Sequence, residues 1–367
     1  NCTFDLYQYA ARLHDLAIRR KFYTIGQYLI SNSYSEAEDI LDVTNSVSDE
    51  LASFFKSTST TVTTINDGLE SVYGMINENL SGNKPLTGTP TGFEKIDSKS
   101  GGLQKSDLII IAGETSQGKT SLAVSMMRNA SFSGAKIAMY SMEMKKEQIT
   151  ARILSMESGI PSNQIMYSRL TDSQIQAIDK RIGKLSGKSI YFDDRSTSNI
   201  DTIISSIRYM KLKFDIDGAI IDYLQILNVN MKGANKEQQM GDVARRLKNL
   251  AKELDIWIIA LSQLNRDTMN PVPTIARLRD SGQIAEAADV VILVYRPEYY
   301  DKSRRYPDPF SNASTEGTAM IDIAKGRNIG ILRFICGFNA ATTCFFNLDS
   351  VPLSGCKTSD MEDDNPF

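Results

Sequence analysis

Residues 113–120 read GETSQGKT. Two glycines five positions apart, followed at once by Lys119 and Thr120, form the G-x-x-x-x-G-K-[ST] pattern of a phosphate-binding loop. The loop stands where that chemistry needs it, after the apolar run DLIIIA and ahead of the helical run TSLAVSMMRNAS. Gly113 and Gly118 let the backbone curl so that amide N–H groups converge on phosphate oxygens. They do so at a helix N-terminus, whose dipole favours anions. Lys119 would reach the β- and γ-phosphates, and the Thr120 hydroxyl would ligate Mg²⁺. Ser116 in the loop and Ser121 at the helix start complete the nucleotide-contacting set. A tight glycine turn with an exposed lysine is the alternative, and the flanking strand and helix argue against it. The expected cofactors are ATP and Mg²⁺.

Three more residues end apolar runs, where open α/β sheets carry their chemistry. Asp222, at the end of GAIID, is the acidic partner such a loop needs to hold Mg²⁺ through water, although Asp also caps turns. Glu143 in YSMEMK lies just past the strand that follows the loop's helix, where a carboxylate could polarise a water against the γ-phosphate. Gln263 ends IIALSQ; a neutral amide there can sense the γ-phosphate and pass its state to a neighbouring loop, or simply belong to a turn.

The elements that must position these groups follow from the pattern of apolar residues. From about residue 103, strand-like runs (DLIIIAG, KIAMYS, SIYFDD, GAIIDYLQIL, IWIIALSQ, DVVILVYR) alternate with helical segments. This alternation predicts a mostly parallel sheet covered by helices on both faces. TAMIDIAKG, ILRFICGF and TTCFFNLD follow without helices between them, as an antiparallel extension. Upstream, Leu13, Leu16, Ala17, Phe22, Ile25 and Leu29 fall at helical spacing. A second helix starts near Ser35, with Glu38 completing a capping box. KSTSTTVTT reads as a hinge, and Ile65, Leu69, Val72, Met75 and Ile76 form the stripe of a third helix. The expected organisation is a partial helical domain at 1–55, a hinge and linker helix at 56–84, the α/β domain at 85–350, and an acidic disordered tail at 351–367.

With 41 basic and 44 acidic residues the net charge is −3, which argues against an outer surface coated with nucleic acid but permits a basic channel. Four cysteines without a C-x-x-C pair, and a single histidine, His14, point away from disulfide scaffolding and zinc. No apolar run reaches membrane-span length, and a cytoplasmic setting is expected. The chain begins at Asn1 rather than Met, so residues ahead of it could be missing.

In order along the chain, TGTPTGFEKID with GGLQKSDLIIIAG, the phosphate loop, SMEM, IIDYLQIL, LSQLNR, LRDSGQIAEAADVVILVYR and AKGRNIG resemble the DnaB-type replicative helicases. These are ring-shaped hexameric motors with a RecA-like core, and the resemblance runs from about Tyr9 to Asp349. It implies a catalytic role for Glu143, a Walker B role for Asp222 and a γ-phosphate sensor in Gln263. It implies that Lys325 and Arg327 reach the neighbouring subunit's ATP site. In an extended segment residues two apart point the same way, which suits that pairing. The resemblance further implies that Arg279, Asp280 and Gly282 follow single-stranded DNA through a central channel. Lys232 and Lys236, in the loop ahead of them, could contact DNA or simply be solvated.

Two departures stand out. Asp280 replaces the family's usual Glu, and Glu114-Thr115 replaces its common Arg-Pro. The N-terminal part matches only the later helices of the family's scaffold domain, so either this is a piece of a longer chain or the collar is reduced. Docking of primase and a helicase loader rests on that region. Residues 65–80 match the linker helix that docks on the adjacent subunit; packing on its own domain is the alternative. The tail DMEDDNPF resembles the acidic Pro-Phe tip by which single-stranded-DNA-binding proteins recruit replication partners, and by composition it could equally be a solubilising tail. The leading expectation is an ATP-dependent helicase in a homo-hexamer. A RecA-like DNA-dependent ATPase or recombinase, and a ring ATPase that does not unwind, share the core.

Overall fold

Every apolar run expected to be a strand between residues 107 and 346 is one in the computed structural model. It describes residues 2–34, 39–58, 64–80, 86–193, 198–228, 236–267, 270–278, 282–301 and 303–348. The chain divides into two compact units, Asn1–Met75 and Ile76–Phe367. No helix among the described residues is long and apolar enough to cross a membrane.

The first unit holds α1 (Cys2–Ser33), α2 (Ile40–Thr58) and most of α3 (Ile65–Leu80). Ile25 of α1 and Val43 of α2 are buried, while Leu16, Phe22 and Leu29 of the expected stripe are exposed. Pairing of two helices covers one narrow seam, not a whole apolar face. Of the expected hinge, residues 56–58 belong to α2 and residues 59–63 lie outside the described residues. Once a helix is nucleated each further residue adds a hydrogen bond, and α2 runs on through residues 56–58. Thr64 then caps α3: its hydroxyl accepts from the Asp67 amide at 3.3 Å, and Asp67 Oδ2 accepts from the Thr64 amide at 2.7 Å. The α3 residues Ile65, Leu69, Val72 and Ile76 are exposed. The side chain of Met75 and the expected cap at Ser35 and Glu38 lie outside the described residues.

The second unit begins, after α4 (Glu94–Ser100), with β1 (Leu108–Gly113), α5 (Lys119–Phe132), β2 (Ile137–Ser141), α6 (Lys146–Ser158), α7 (Ser162–Tyr167), α8 (Asp172–Leu185) and β3 (Ile190–Asp193). It continues through α9 (Ile200–Phe214), β4 (Gly218–Asp222), α10 (Lys236–Leu254), β5 (Trp257–Gln263), α11 (Gly282–Ala287) and β6 (Val290–Tyr295). It ends with β7 (Thr318–Gly326), β8 (Leu332–Asn339) and β9 (Cys344–Phe346). The nine strands form one sheet in the order β3-β2-β4-β5-β1-β6-β7-β8-β9. The strands β1 to β6 are parallel, and β7, β8 and β9 add on as the expected antiparallel meander.

Alternation along β1 splits its side chains between two cores. Ile109 and Ile111 pack with Leu122, Val124 and Met126 of α5, whereas Leu108 and Ile110 pack with Val243, Ala244 and Leu247 of α10. A strand buried on both faces needs an unbroken apolar run, and this is why DLIIIAG shows no polar alternation. Gly218 sits opposite Trp257 in the β4–β5 register, and a Cβ there would collide with the buried indole. That indole donates to Thr89 Oγ1 at 3.0 Å.

Candidate functional site

The parallel strands all point their carboxyl ends to one edge of the sheet, and the expected groups meet there. A cavity of about 600 Å³ is lined by Ser116, Gly118, Lys119, Thr120 and Ser121 from the loop after β1. Glu143 after β2, Asp222 at the end of β4 and Gln263 at the end of β5 complete its polar wall. Register explains the convergence, since Ser141 pairs with Asp222 across β2–β4 and Gly113 with Gln263 across β1–β5.

The loop's backbone is committed to this shape. Gly118 caps α5 with φ of 98°, and a Cβ there would also stand 2.9 Å from the Phe345 ring. Ser116 takes φ of 63°, a region few non-glycine residues occupy. Lys119 Nζ donates to the Glu114 carbonyl at 2.9 Å, and Thr120 Oγ1 donates to Asp222 Oδ2 at 2.9 Å. Gln263 Nε2 donates to Thr115 Oγ1 at 2.8 Å, tying the end of β5 to the phosphate loop.

Burial raises the Asp222 carboxyl above its ordinary value, and the Glu143 charge adds to this. The Thr120 hydrogen bond and the Lys119 and Arg152 charges oppose it. Burial likewise lowers the Lys119 ammonium, against the pull of Asp222, Glu143 and Glu114. The cavity therefore holds cationic and anionic groups poorly solvated by water, a setting in which a polyanion and a divalent cation gain most from binding.

Several lining residues escaped the sequence reading. Arg152 of α6 reaches into the cavity; burial lowers its guanidinium, while Asp222 and Glu143 hold it charged. Its position, nine residues past Glu143 inside an ordinary amphipathic helix, carries no sequence signal. Arg296, directly after β6, lies with its guanidinium 3.8 Å from the Phe338 ring centroid, and its Nε is buried without a hydrogen-bond partner. The rule that strand ends carry chemistry could have found it, because DVVILVYR ends in that arginine. Phe338, Ala340 and Thr343 enter from the β8–β9 hairpin, far away in sequence. Gln225 clasps the end of β5, donating to Ser262 Oγ at 2.9 Å and to the Gln263 carbonyl at 3.2 Å, and accepting from the Gln263 amide at 3.2 Å.

Other expected residues lie away from the cavity. The β6–β7 pairing sets Lys325 against Val291 and Gly326 against Val290, at the opposite edge of the sheet from the phosphate loop. Lys325 Nζ donates to the carbonyls of Ala285 and Ala288 at 2.6 and 2.7 Å, capping the C-terminal end of α11. Arg327 falls just beyond β7, but its amide still donates to the Asp289 carbonyl at 2.9 Å, and its guanidinium meets Asp289 Oδ1 at 3.3 Å, close enough for its charge to act on Lys325. Lys236 begins α10 and donates to the Gln225 carbonyl at 3.1 Å, and Gly282 begins α11. Arg279, Asp280, Lys232 and the acidic tip lie outside the described residues.

A phosphate loop fed by the central strand of a parallel sheet, with acidic and amide groups at the neighbouring strand ends, defines a RecA-like P-loop domain. The chain belongs to the DnaB-like helicase C terminal domain family, which matches residues 88–347. It is 33% identical over 298 residues to the replicative DNA helicase DnaB of Helicobacter pylori strain J99, covering 80% of this chain and 61% of that one. It is 30% identical over 351 residues to the replicative DNA helicase DnaC of Bacillus subtilis strain 168, covering 93% of this chain and 74% of that one. The chain thus spans 61% of one of these relatives and 74% of the other.

Among solved structures, that of a DnaB-like replicative helicase and its interactions with primase superimposes with a TM-score of 0.72 at 26% identity, over 90% of this chain and 76% of that one. A solved ATPase domain superimposes with a TM-score of 0.70 at 28% identity, over 78% and 100%.

Proposed function

We propose that this chain is the motor subunit of an ATP-dependent replicative DNA helicase. The observation that carries the reading is the shared cavity at the carboxyl edge of the sheet, where Lys119, Thr120, Glu143, Asp222 and Gln263 meet. Loop amides and Lys119 bind the phosphates, Glu143 orients and deprotonates the attacking water, and Gln263 senses the γ-phosphate. The hydroxyl and carboxylate oxygens of Thr120 and Asp222 suit Mg²⁺. Among the described residues no cluster of three acidic, His or Cys side chains could cage a metal, so phosphate and water would supply the remaining ligands. When bound, Mg²⁺ would neutralise charge developing on the phosphates.

Lys325 and Arg327 act on a neighbouring subunit's nucleotide. Their place at the sheet edge opposite the chain's own cavity supports action in trans within a homo-hexamer. The exposed stripe Ile65, Leu69, Val72 and Ile76 is an apolar surface suited to an adjacent subunit. Arg279, Asp280, Gly282 and the Lys232–Lys236 loop contact single-stranded DNA in the channel through its backbone. Each base-pair step opened costs roughly 1.4 kcal/mol of stacking. Primase and a loader bind the N-terminal region and other replication proteins the DDNPF tip; deleting the last six residues would then abolish at least one partner contact.

The test is strand displacement on a forked DNA with ATP, with wild type mixed in equal amounts with Arg327→Ala. Unwinding that falls further than dilution predicts supports shared active sites. A strictly proportional fall removes the trans role of Arg327, and wild type that hydrolyses ATP without unwinding removes the helicase reading for this chain.

A further inference from the structure

The phosphate loop of this chain carries a buried glutamate that does not line the nucleotide cavity. Glu114 is 5% exposed, and its Oε1 accepts from the Arg277 guanidinium. The same oxygen accepts from the Asp267 amide at 3.3 Å. Arg277 in turn holds the carbonyls of Asn265 (2.7 Å), Asn270 (3.1 Å) and Val272 (3.1 Å). One arginine thereby gathers the strand-to-helix connection after β5 and fastens it to the phosphate loop. A second fastening stands at the start of that connection, where Gln263 Nε2 meets Thr115 Oγ1 at 2.8 Å. Both loop residues involved, Glu114 and Thr115, occupy the positions where this chain departs from the common Arg-Pro of its family. Arginine at 114 would face Arg277 with like charge.

Arg277 precedes Arg279 by two residues, so the pair joins the loop that holds the nucleotide to the segment entering the proposed DNA-contacting residues. We propose that the Glu114–Arg277 ion pair couples the nucleotide site to DNA binding, as a positioning pair that sets how strongly single-stranded DNA stimulates ATP hydrolysis. Burial makes the link stiff, because neither charge can be resolvated without breaking the other's hydrogen bonds. Tyr300 lies beside the cluster, where burial and the neighbouring Glu114 keep its phenol protonated. A shift of the loop on γ-phosphate loss would move Glu114, and Arg277 would carry the displacement into the connection.

The inference rests on the helicase reading above, and the experiment separates the two. ATPase activity of the full chain is measured without DNA and across a titration of oligo-dT, for wild type, Arg277→Gln, Glu114→Gln and the double variant. Arg277→Gln should keep its DNA-free rate within about threefold, while half-maximal stimulation needs about tenfold more DNA, within the span of typical coupling energies. Glu114→Gln should show the same shift, and the double variant no more than either, because the two residues act as one pair. If Arg277→Gln fails to fold, Glu114→Gln, which keeps an acceptor for Arg277 and removes the charge, carries the test alone. Wild-type stimulation retained in either folded single variant, or shifts that add in the double variant, overturns the inference while leaving the helicase reading intact. A wild type that oligo-dT does not stimulate overturns both.

Discussion

Thr120 Oγ1 and Asp222 Oδ2 stand 2.9 Å apart, joining the first turn of α5 to the end of β4 across 102 residues of sequence. The two oxygens form the hard-donor pair expected to hold Mg²⁺. Asp222→Asn should therefore retain nucleotide binding measured without metal and lose about 10²–10³-fold in kcat, the loss typical of removing one preorganised charge-stabilising group. A titration with Mn²⁺ followed by paramagnetic resonance would check the metal directly. Unchanged Mn²⁺ affinity would remove Asp222 from the role.

Glu143 is exposed on the cavity wall just beyond β2. As general base it should contribute about 10²–10⁴-fold. Glu143→Gln should bind a fluorescent ATP analogue as wild type does and turn over at least a hundredfold more slowly. Hydrolysis within about threefold of wild type would move the base elsewhere.

Arg152 tests the electrostatics of the cavity. Burial raises the Asp222 carboxyl, and the Arg152 charge is among the groups holding it down. Without that charge Asp222 takes up its proton at a higher pH, and the acid limb of the pH–rate profile should move upward. Arg152→Leu should show the shift and Arg152→Lys little of it. An unmoved acid limb in Arg152→Leu would mean that Asp222 does not limit the rate at low pH.

Asp107, at the opposite end of β1, gives a stability prediction with a defined window. Burial, reinforced by the Asp289 charge, raises its carboxyl to about 6, while Lys248 and Arg327 oppose the rise. Between about pH 4 and pH 6 the folded chain then binds more protons here than the unfolded chain does, so stability falls as pH rises through that window. Relative to Asp107→Asn, wild type should lose on the order of 2–3 kcal/mol from pH 4 to pH 7. The single tryptophan, Trp257, is fully buried in this unit, so its fluorescence in urea melts reports the change. Parallel pH curves for the two proteins would refute it.

Much of the site was legible before any coordinates, for local reasons. A phosphate loop is a run of eight residues whose backbone shape depends on its own glycines. Strand ends are visible because a parallel strand buried on both faces must be an uninterrupted apolar run. Glu143, Asp222 and Gln263 could therefore be placed at strand ends, and the parallel order made those ends neighbours.

Arg152 and Phe338 were not legible, because each reaches the cavity through packing that no local pattern encodes, and neither was Gln225, which only braces the end of β5. The same holds for the Glu114–Arg277 pair, whose partners lie 163 positions apart. In sequence, Glu114 is merely an odd residue in a familiar loop, and Arg277 an ordinary charge near another arginine. Their opposite charges become one buried contact only when β5, beside β1, delivers its following connection onto the phosphate loop. The contact of Arg327 with Asp289 was hidden for a related reason: Arg327 lies just past the end of β7, and only its pairing with the residue ahead of β6 brings the two charges together. Sequence alone determined the chemical groups, the strands that carry them and the edge where they gather, since these depend on short-range periodicity and backbone sterics. Tertiary structure alone decided which charges face one another, because the free energy of a buried charge depends on neighbours the chain meets only on folding.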